Sequence, residues 1–245
     1  IGPLIASFAL IRWGIKGTAF LAVPAIGVTL LIALILPGLW RYHSVDGGKA
    51  VKKSQGEDAW AGFLCLSILV LFRSVIFYGI NTFLPLFWIN VLQQSKTAGA
   101  SALTVFFASA VVGNLIGGRV ADHVGFRRAI LTEFALVTVL LPIFAYTSNP
   151  LWAMFLLIPI GLMFSASVAP LVVLGQSYLP NRIGLASGVT LGLAFSFGGI
   201  TTPVFGWIGD RHGLHTAIVV LSFLPIICTG LTILLPKPKA AIAAK

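Results

Sequence analysis

Charge is what this chain has least of. Charged residues make up 9% of its 245 positions, against about 25% in a water-soluble domain. That is too few to cover a globular surface in water. Acidic residues are the scarcer sign, six Asp+Glu against sixteen Lys+Arg. The two cysteines, Cys65 and Cys228, both fall inside apolar runs, which excludes a disulfide framework and any metal-type Cys spacing. No signal peptide is read, because the chain opens within an apolar stretch at Ile1. Outside the apolar runs there is no Ser/His/Asp set, no metal cluster and no phosphate-cradling loop, so no enzymatic activity and no cofactor are expected. Apolar residues, by contrast, reach 58%, and the mean hydropathy is +1.02. The expected solvent is a lipid bilayer.

A membrane-spanning helix needs roughly 20 mostly apolar residues. Such runs occur at 18–39, 59–88, 98–118, 129–146, 151–174, 185–209 and 214–235, with a shorter one at 1–11. They are continuously apolar rather than alternating, which indicates helices and not barrel strands. The expected architecture is therefore an all-α membrane protein with about eight transmembrane helices, the first cut short. Residues 41–58 are the longest polar stretch and read as a linker between two bundles.

The basic residues lie mainly between the apolar runs. Their net charge of +10 is therefore read as setting orientation in the bilayer, with no nucleic-acid partner. One side collects Arg41, Lys49, Lys52, Lys53, Arg119, Arg127, Arg128, Arg182, Lys237, Lys239 and Lys245. The other has Arg12, Lys16, Lys96 and Arg211. Eleven against four places the linker and the C-terminus in the cytoplasm. Trp40, Trp60, Trp88 and Trp152 lie near span ends, where aromatic rings favour the headgroup layer.

A weak internal echo links Ile1–Phe20 with Thr202–Val219. Each runs from a proline-led helix end through a short basic Gly turn into a helix beginning Thr-Ala. Transporters are often built from duplicated halves. On that scheme residues 1–40 close an N-terminal bundle of which four upstream helices are missing, and 59–236 form a six-helix C-terminal bundle with a tail at 237–245.

The segment Gly118-Arg-Val-Ala-Asp122-His-Val-Gly125-Phe-Arg127-Arg128 is expected to form the loop between two spans. Its glycines suit a tight turn, Asp122 suits a helix start with exposed N–H groups, and the arginines hold the cytoplasmic face or pair with acids. The whole pattern resembles the signature between the second and third helices of each half of major facilitator superfamily transporters. Val120, His123 and Phe126 depart from it. Gly2-Pro3 partly resembles that superfamily's antiporter signature. The run from Gln176 through Pro180, Arg182, Gly184 and Gly188 to Gly192 and Gly198-Gly199 is similar to the tenth-to-eleventh helix region of fosmidomycin-resistance-type efflux proteins. The resemblance implies twelve helices in a full protein of the plasma (bacterial inner) membrane. It also implies two pseudo-symmetric bundles around a central cavity and export driven by the proton gradient. It casts Gly118, Asp122, Gly125, Arg127, Arg128, Gln176, Arg182 and Gly188 as gating residues.

Arg73 stands apart. Fourteen residues beyond Ala59, it lies roughly 21 Å along the helix axis, deep in a ~30 Å hydrocarbon layer. A central Arg costs about 2.5–3.5 kcal/mol on insertion scales, so something must offset it. Either it faces a cavity and binds an anionic substrate through its planar fork, or it is a structural Arg satisfied by carbonyls, by an acid or by snorkelling. Phe77 and Asn81, at i+4 and i+8, would share that cavity. Asn114 reads as a helix–helix hydrogen-bonding residue. Glu133 reads as a proton-coupling candidate, with pairing to Arg127 or Arg128 as the alternative. His123, His212 and His215 sit in or beside loops. Gly184, Gly188 and Gly192 recur every fourth residue, as at a close helix contact. Pro142, Pro159, Pro170 and Pro203 would kink their spans. The expected function is secondary active transport of a small drug-like or anionic compound out of the cell against protons. An uptake carrier for a metabolite and a non-transporting membrane scaffold are the alternatives.

Overall fold

The computed structural model describes residues 26–35 and 56–236, which belong to two units divided between Ser54 and Gln55. In the first unit, α1 (Ile26–Ile35) is a short apolar helix inside the run expected at 18–39. The span expected at 1–11, most of the linker and the tail lie outside the described residues.

Among its described residues the second unit has helices as its only regular elements. Its helices are α2 (Trp60–Asn90), α3 (Lys96–Val124), α4 (Phe126–Ala145), α5 (Pro150–Ala166), α6 (Val168–Tyr178), α7 (Ile183–Ser187), a π-helical turn (Gly188–Leu193), α8 (Ala194–His212) and α9 (Leu214–Leu234). With α5 and α6 as one span and α7 to α8 as another, six helices are long and apolar enough to cross a membrane. Helix α2 is central: it packs against α3, α6, α8 and α9. Leu66, Leu69, Ile76, Leu84 and Phe87 along it are almost fully buried.

In lipid there is little hydrophobic drive between helices, so association rests on close packing. The tightest seam joins α3 to α5. A Cβ added to Gly113 would collide with the Leu162 carbonyl, and one on Gly117 with the Ala166 carbonyl. Gly161 of α5 returns the contact, where a Cβ would stand 2.6 Å from the Phe106 carbonyl oxygen. The stripe expected to pack this way, Gly184, Gly188 and Gly192, has no atom within 4 Å of any added Cβ. Those glycines face away from the unit.

Local chemistry sets the helix ends. Ser95 accepts from Ala98 N at 3.2 Å and starts α3. Asn149 Oδ1 accepts from Leu151 N at 2.9 Å, ahead of Pro150 at the first turn of α5. The segment read as a loop at 118–128 is mostly helix, because α3 runs on to Val124. Only Gly125, at φ +90°, makes the turn, a conformation that a side chain disfavours. Gly213, at φ +88°, does the same between α8 and α9. Of the four prolines expected to kink spans, Pro142, Pro159 and Pro203 sit inside continuous helices. Pro170 does accompany a break: α5 ends at Ala166, the residue whose carbonyl its ring displaces and whose hydrogen bond its missing N–H cannot supply. Trp88 is buried at 1% exposure, stacked on Phe144 at 6.2 Å. It is a core ring rather than an interfacial one, whereas Trp60 and Trp152 are exposed.

Candidate functional site

The break between α5 and α6 leaves the backbone irregular at membrane depth, and Arg73 reaches it from α2. Arg73 Nη2 donates to the Phe164 carbonyl at 3.1 Å, and Nε donates to Ser167 Oγ at 3.2 Å. Its Cζ lies 4.7 Å from the centroid of the Phe164 ring. This offsets part of the desolvation of a buried guanidinium. The side chain is half-buried, not sealed. It lines a cavity of about 310 Å³ bounded by α2, α3, the α5–α6 break and the π-helical turn. Arg73 is thus carbonyl-anchored on one edge and cavity-lining on the other. Of five guanidinium N–H groups, two are used among the described residues, which leaves three.

Phe77 shares the cavity as expected. Its ring lies parallel to Phe164 at 6.1 Å and edge-on to Phe107 at 6.5 Å. Asn81 does not share it. Its Nδ2 donates to the Phe77 carbonyl at 2.7 Å, and its buried Oδ1 has no partner. From i+4 to i+8 the helix rotates about 40° further, which carries residue 81 off the cavity side. Tyr78, Asn114, Thr190 and Phe195 line the cavity instead. Asn114 is exposed there rather than bonded to a neighbouring helix. The π-helical turn brings Thr190 and Leu191 to the wall; Thr190 Oγ1 donates to the Ala186 carbonyl at 2.8 Å.

The gating candidates divide. Arg127 donates from Nε to the Thr232 carbonyl at 3.3 Å and from Nη2 to that of Ile233, so it caps the C-terminal end of α9. Tyr178 Oη donates to the Pro236 carbonyl beside it. Arg182 pairs with Asp58 at 3.7 Å and lies 5.2 Å from the Trp60 ring centroid. Gln176 Nε2 donates to Ser187 Oγ at 2.9 Å, tying α6 to α7. Asp122 is exposed and makes no hydrogen bond or ion pair among the described residues. Asp122 reads as suiting the start of a neighbouring helix; for the helix following the 176–182 segment, Ile183–His212, this is not seen, since α3 has no substantial contact with that span. A Cβ added to Gly118 would meet only Ala169 Cβ, at 3.9 Å; Arg128 is exposed, and Gly188 lies in the π-helical turn.

Glu133 is 5% exposed and its Oε2 has no partner. The pairing with Arg127 or Arg128 is not formed. Helix α4 begins at Phe126, three residues earlier than expected. Glu133 therefore sits two turns inside the bundle, while Arg127 is engaged with α9. His123, His212 and His215 are all exposed.

Six apolar helices of membrane length, packed on glycine seams around an arginine-lined cavity, define a multi-pass integral membrane protein. A family model described as Major Facilitator Superfamily matches residues 1–203, and the chain belongs to that superfamily of transporters. It is 25% identical over 240 residues to the fosmidomycin resistance protein of Escherichia coli strain K12, covering 96% of this chain and 59% of that one. It is 29% identical over 237 residues to the uncharacterized MFS-type transporter YfnC of Bacillus subtilis strain 168, covering 93% and 57%. A hexose-6-phosphate:phosphate antiporter of Salmonella typhimurium is 27% identical over 175 residues, 64% of this chain and 37% of that one. The chain thus spans a little over half the length of the first two.

Proposed function

We propose that this chain belongs to a secondary transporter that exports a small anionic or amphiphilic, drug-like compound in exchange for protons, by alternating access. The observation that carries the reading is Arg73, a cation held at membrane depth beside an open cavity with three N–H groups to spare. An intramembrane charge of this kind marks a substrate or ion path by default. The similarity to a protein named for fosmidomycin resistance supports export of a compound foreign to the cell. In this reading residues 1–40 close one bundle, and 41–58 link it to the bundle at 59–236, which carries the Arg73 cavity. The excess of eleven basic residues against four supports a cytoplasmic linker and C-terminus in this reading, and the protein is assigned to the inner membrane. Gly118, Asp122, Gly125, Arg127, Arg128, Gln176, Arg182 and Gly188 are assigned to gating in this reading, and Glu133 is the buried acid available for a proton.

The test is accumulation of candidate compounds in cells with and without the full-length protein. Export is expected to stop when an uncoupler collapses the proton gradient. Export that continues unchanged would refute the coupling.

A further inference from the structure

The composition of the Arg73 cavity narrows what it holds. Among the described residues sixteen line it; ten are apolar, and Arg73 is the single charged one. A lone cation balances one negative charge. A doubly charged phosphate would carry its second charge into a largely apolar site with no partner among the described residues, which disfavours it. A sugar is less well matched, because every buried hydroxyl needs a partner and, beside Arg73, the cavity offers Tyr78, Asn114 and Ser165 among ten apolar residues. The Thr190 hydroxyl already donates to Ala186, and the Ser74 hydroxyl is buried beneath α8 beside the position of Gly198.

Aromatic rings supply the rest of the wall. Phe107, Phe77, Tyr78 and Phe195 form a chain of edge-to-face contacts at 5.8–6.5 Å. Phe195 is 55% exposed at its open end. Rings so arranged favour a flat apolar body, while the Arg73 fork matches the two oxygens of a planar carboxylate.

We propose that this cavity binds a singly charged organic anion with a flat aromatic body, an aromatic carboxylate being the simplest case, with its charge on Arg73 and its rings along Phe77, Phe107 and Phe195. This rests on the transport reading above and gives it a cargo class.

The experiment measures binding to the full-length protein in nanodiscs by equilibrium dialysis. The probes are 2-naphthoate, its uncharged analogue 2-naphthylmethanol, and glucose 6-phosphate. Wild-type protein is expected to bind naphthoate about tenfold or more tightly than naphthylmethanol, the worth of a charge-assisted hydrogen bond, and to bind glucose 6-phosphate more weakly than either. Arg73→Gln should bring naphthoate down to the level of naphthylmethanol, and unchanged naphthylmethanol binding shows that the variant is folded. Phe195→Ala, at the exposed rim, should weaken both naphthyl probes alike, and it tests the proposal even if Arg73→Gln does not fold. The proposal is overturned if naphthoate fails to bind wild-type protein, if glucose 6-phosphate binds as well, or if a folded Arg73→Gln retains naphthoate binding. Flux in liposomes separates the two readings. Naphthoate bound but no anion moved removes transport and keeps the ligand class. Glucose 6-phosphate moved while naphthoate is ignored removes the ligand class and keeps transport.

Discussion

Adding one methyl group at Gly117 and one at Gly188 should give opposite results, although both glycines belong to four-residue small-residue spacings. At Gly117 a Cβ would overlap the Ala166 carbonyl and would stand 2.5 Å from Ala166 Cα. Both are backbone atoms, so no side chain can rotate away, and α3 and α5 would have to separate. Overpacking of this kind costs typically about 1–3 kcal/mol. The seam is continuous through Gly113 and Gly161, so the loss should fall at the upper end. At Gly188 a Cβ meets nothing within 4 Å, which leaves backbone preference; in a helix interior Ala is favoured over Gly by about 0.8–1.0 kcal/mol. The assay is reversible unfolding of the full-length protein in mixed micelles, following helix content. Gly117→Ala should lose about 1–3 kcal/mol, and Gly188→Ala should be neutral or slightly stabilised. Equal losses would show that the Gly188 face is a packed seam and would refute the assignment of close contact to α3–α5 alone.

Other outcomes follow from single contacts. Arg127→Ala should destabilise the protein by about 1–2 kcal/mol in the same unfolding assay, since it strips the carbonyls of Thr232 and Ile233 of a charged donor; a neutral result would mean that water caps α9 as well. Tyr178→Phe should cost about 0.5–1.5 kcal/mol through the lost bond to the Pro236 carbonyl. Asp58→Asn should change stability by less than about 1 kcal/mol, because its Arg182 partner is 60% exposed and the pair is long at 3.7 Å. A larger loss would show that this junction does more than its geometry provides. Glu133→Gln should leave stability unchanged or raise it, since no partner holds its buried Oε2. A loss above about 2 kcal/mol would point to a bonded carboxylate.

The six spans of the second unit were legible in the sequence to within a few residues, except where helices run on past their apolar stretch. Apolar length alone specifies a membrane helix, which is why 59–88 became Trp60–Asn90 and 214–235 became Leu214–Leu234. The polar residues from Arg119 to His123 hid six further residues of α3, because charge reads as loop while a helix can carry it into the headgroup layer. Which face looks inward was hidden more deeply. Lipid-facing and protein-facing residues are alike in polarity. Nothing therefore distinguished Gly113 and Gly117, which pack, from Gly184 and Gly188, which do not. For the same reason Trp88 looked interfacial, and Asn114 looked like a helix-bonding residue. Arg73 was legible because a charge among apolar residues is conspicuous. Tyr78 and Phe195 were not, because an aromatic in an apolar run carries no mark of the cavity it faces.

The most direct trial of a cargo site at Arg73 is a structure of the full-length protein determined with a transported anion bound. The anionic group should lie within hydrogen-bond distance of the Arg73 guanidinium, with the rest of the molecule against Phe77. An anion held elsewhere, with the Arg73 guanidinium engaged only with Phe164 and Ser167, would make that arginine a brace for the α5–α6 break and contradict the account.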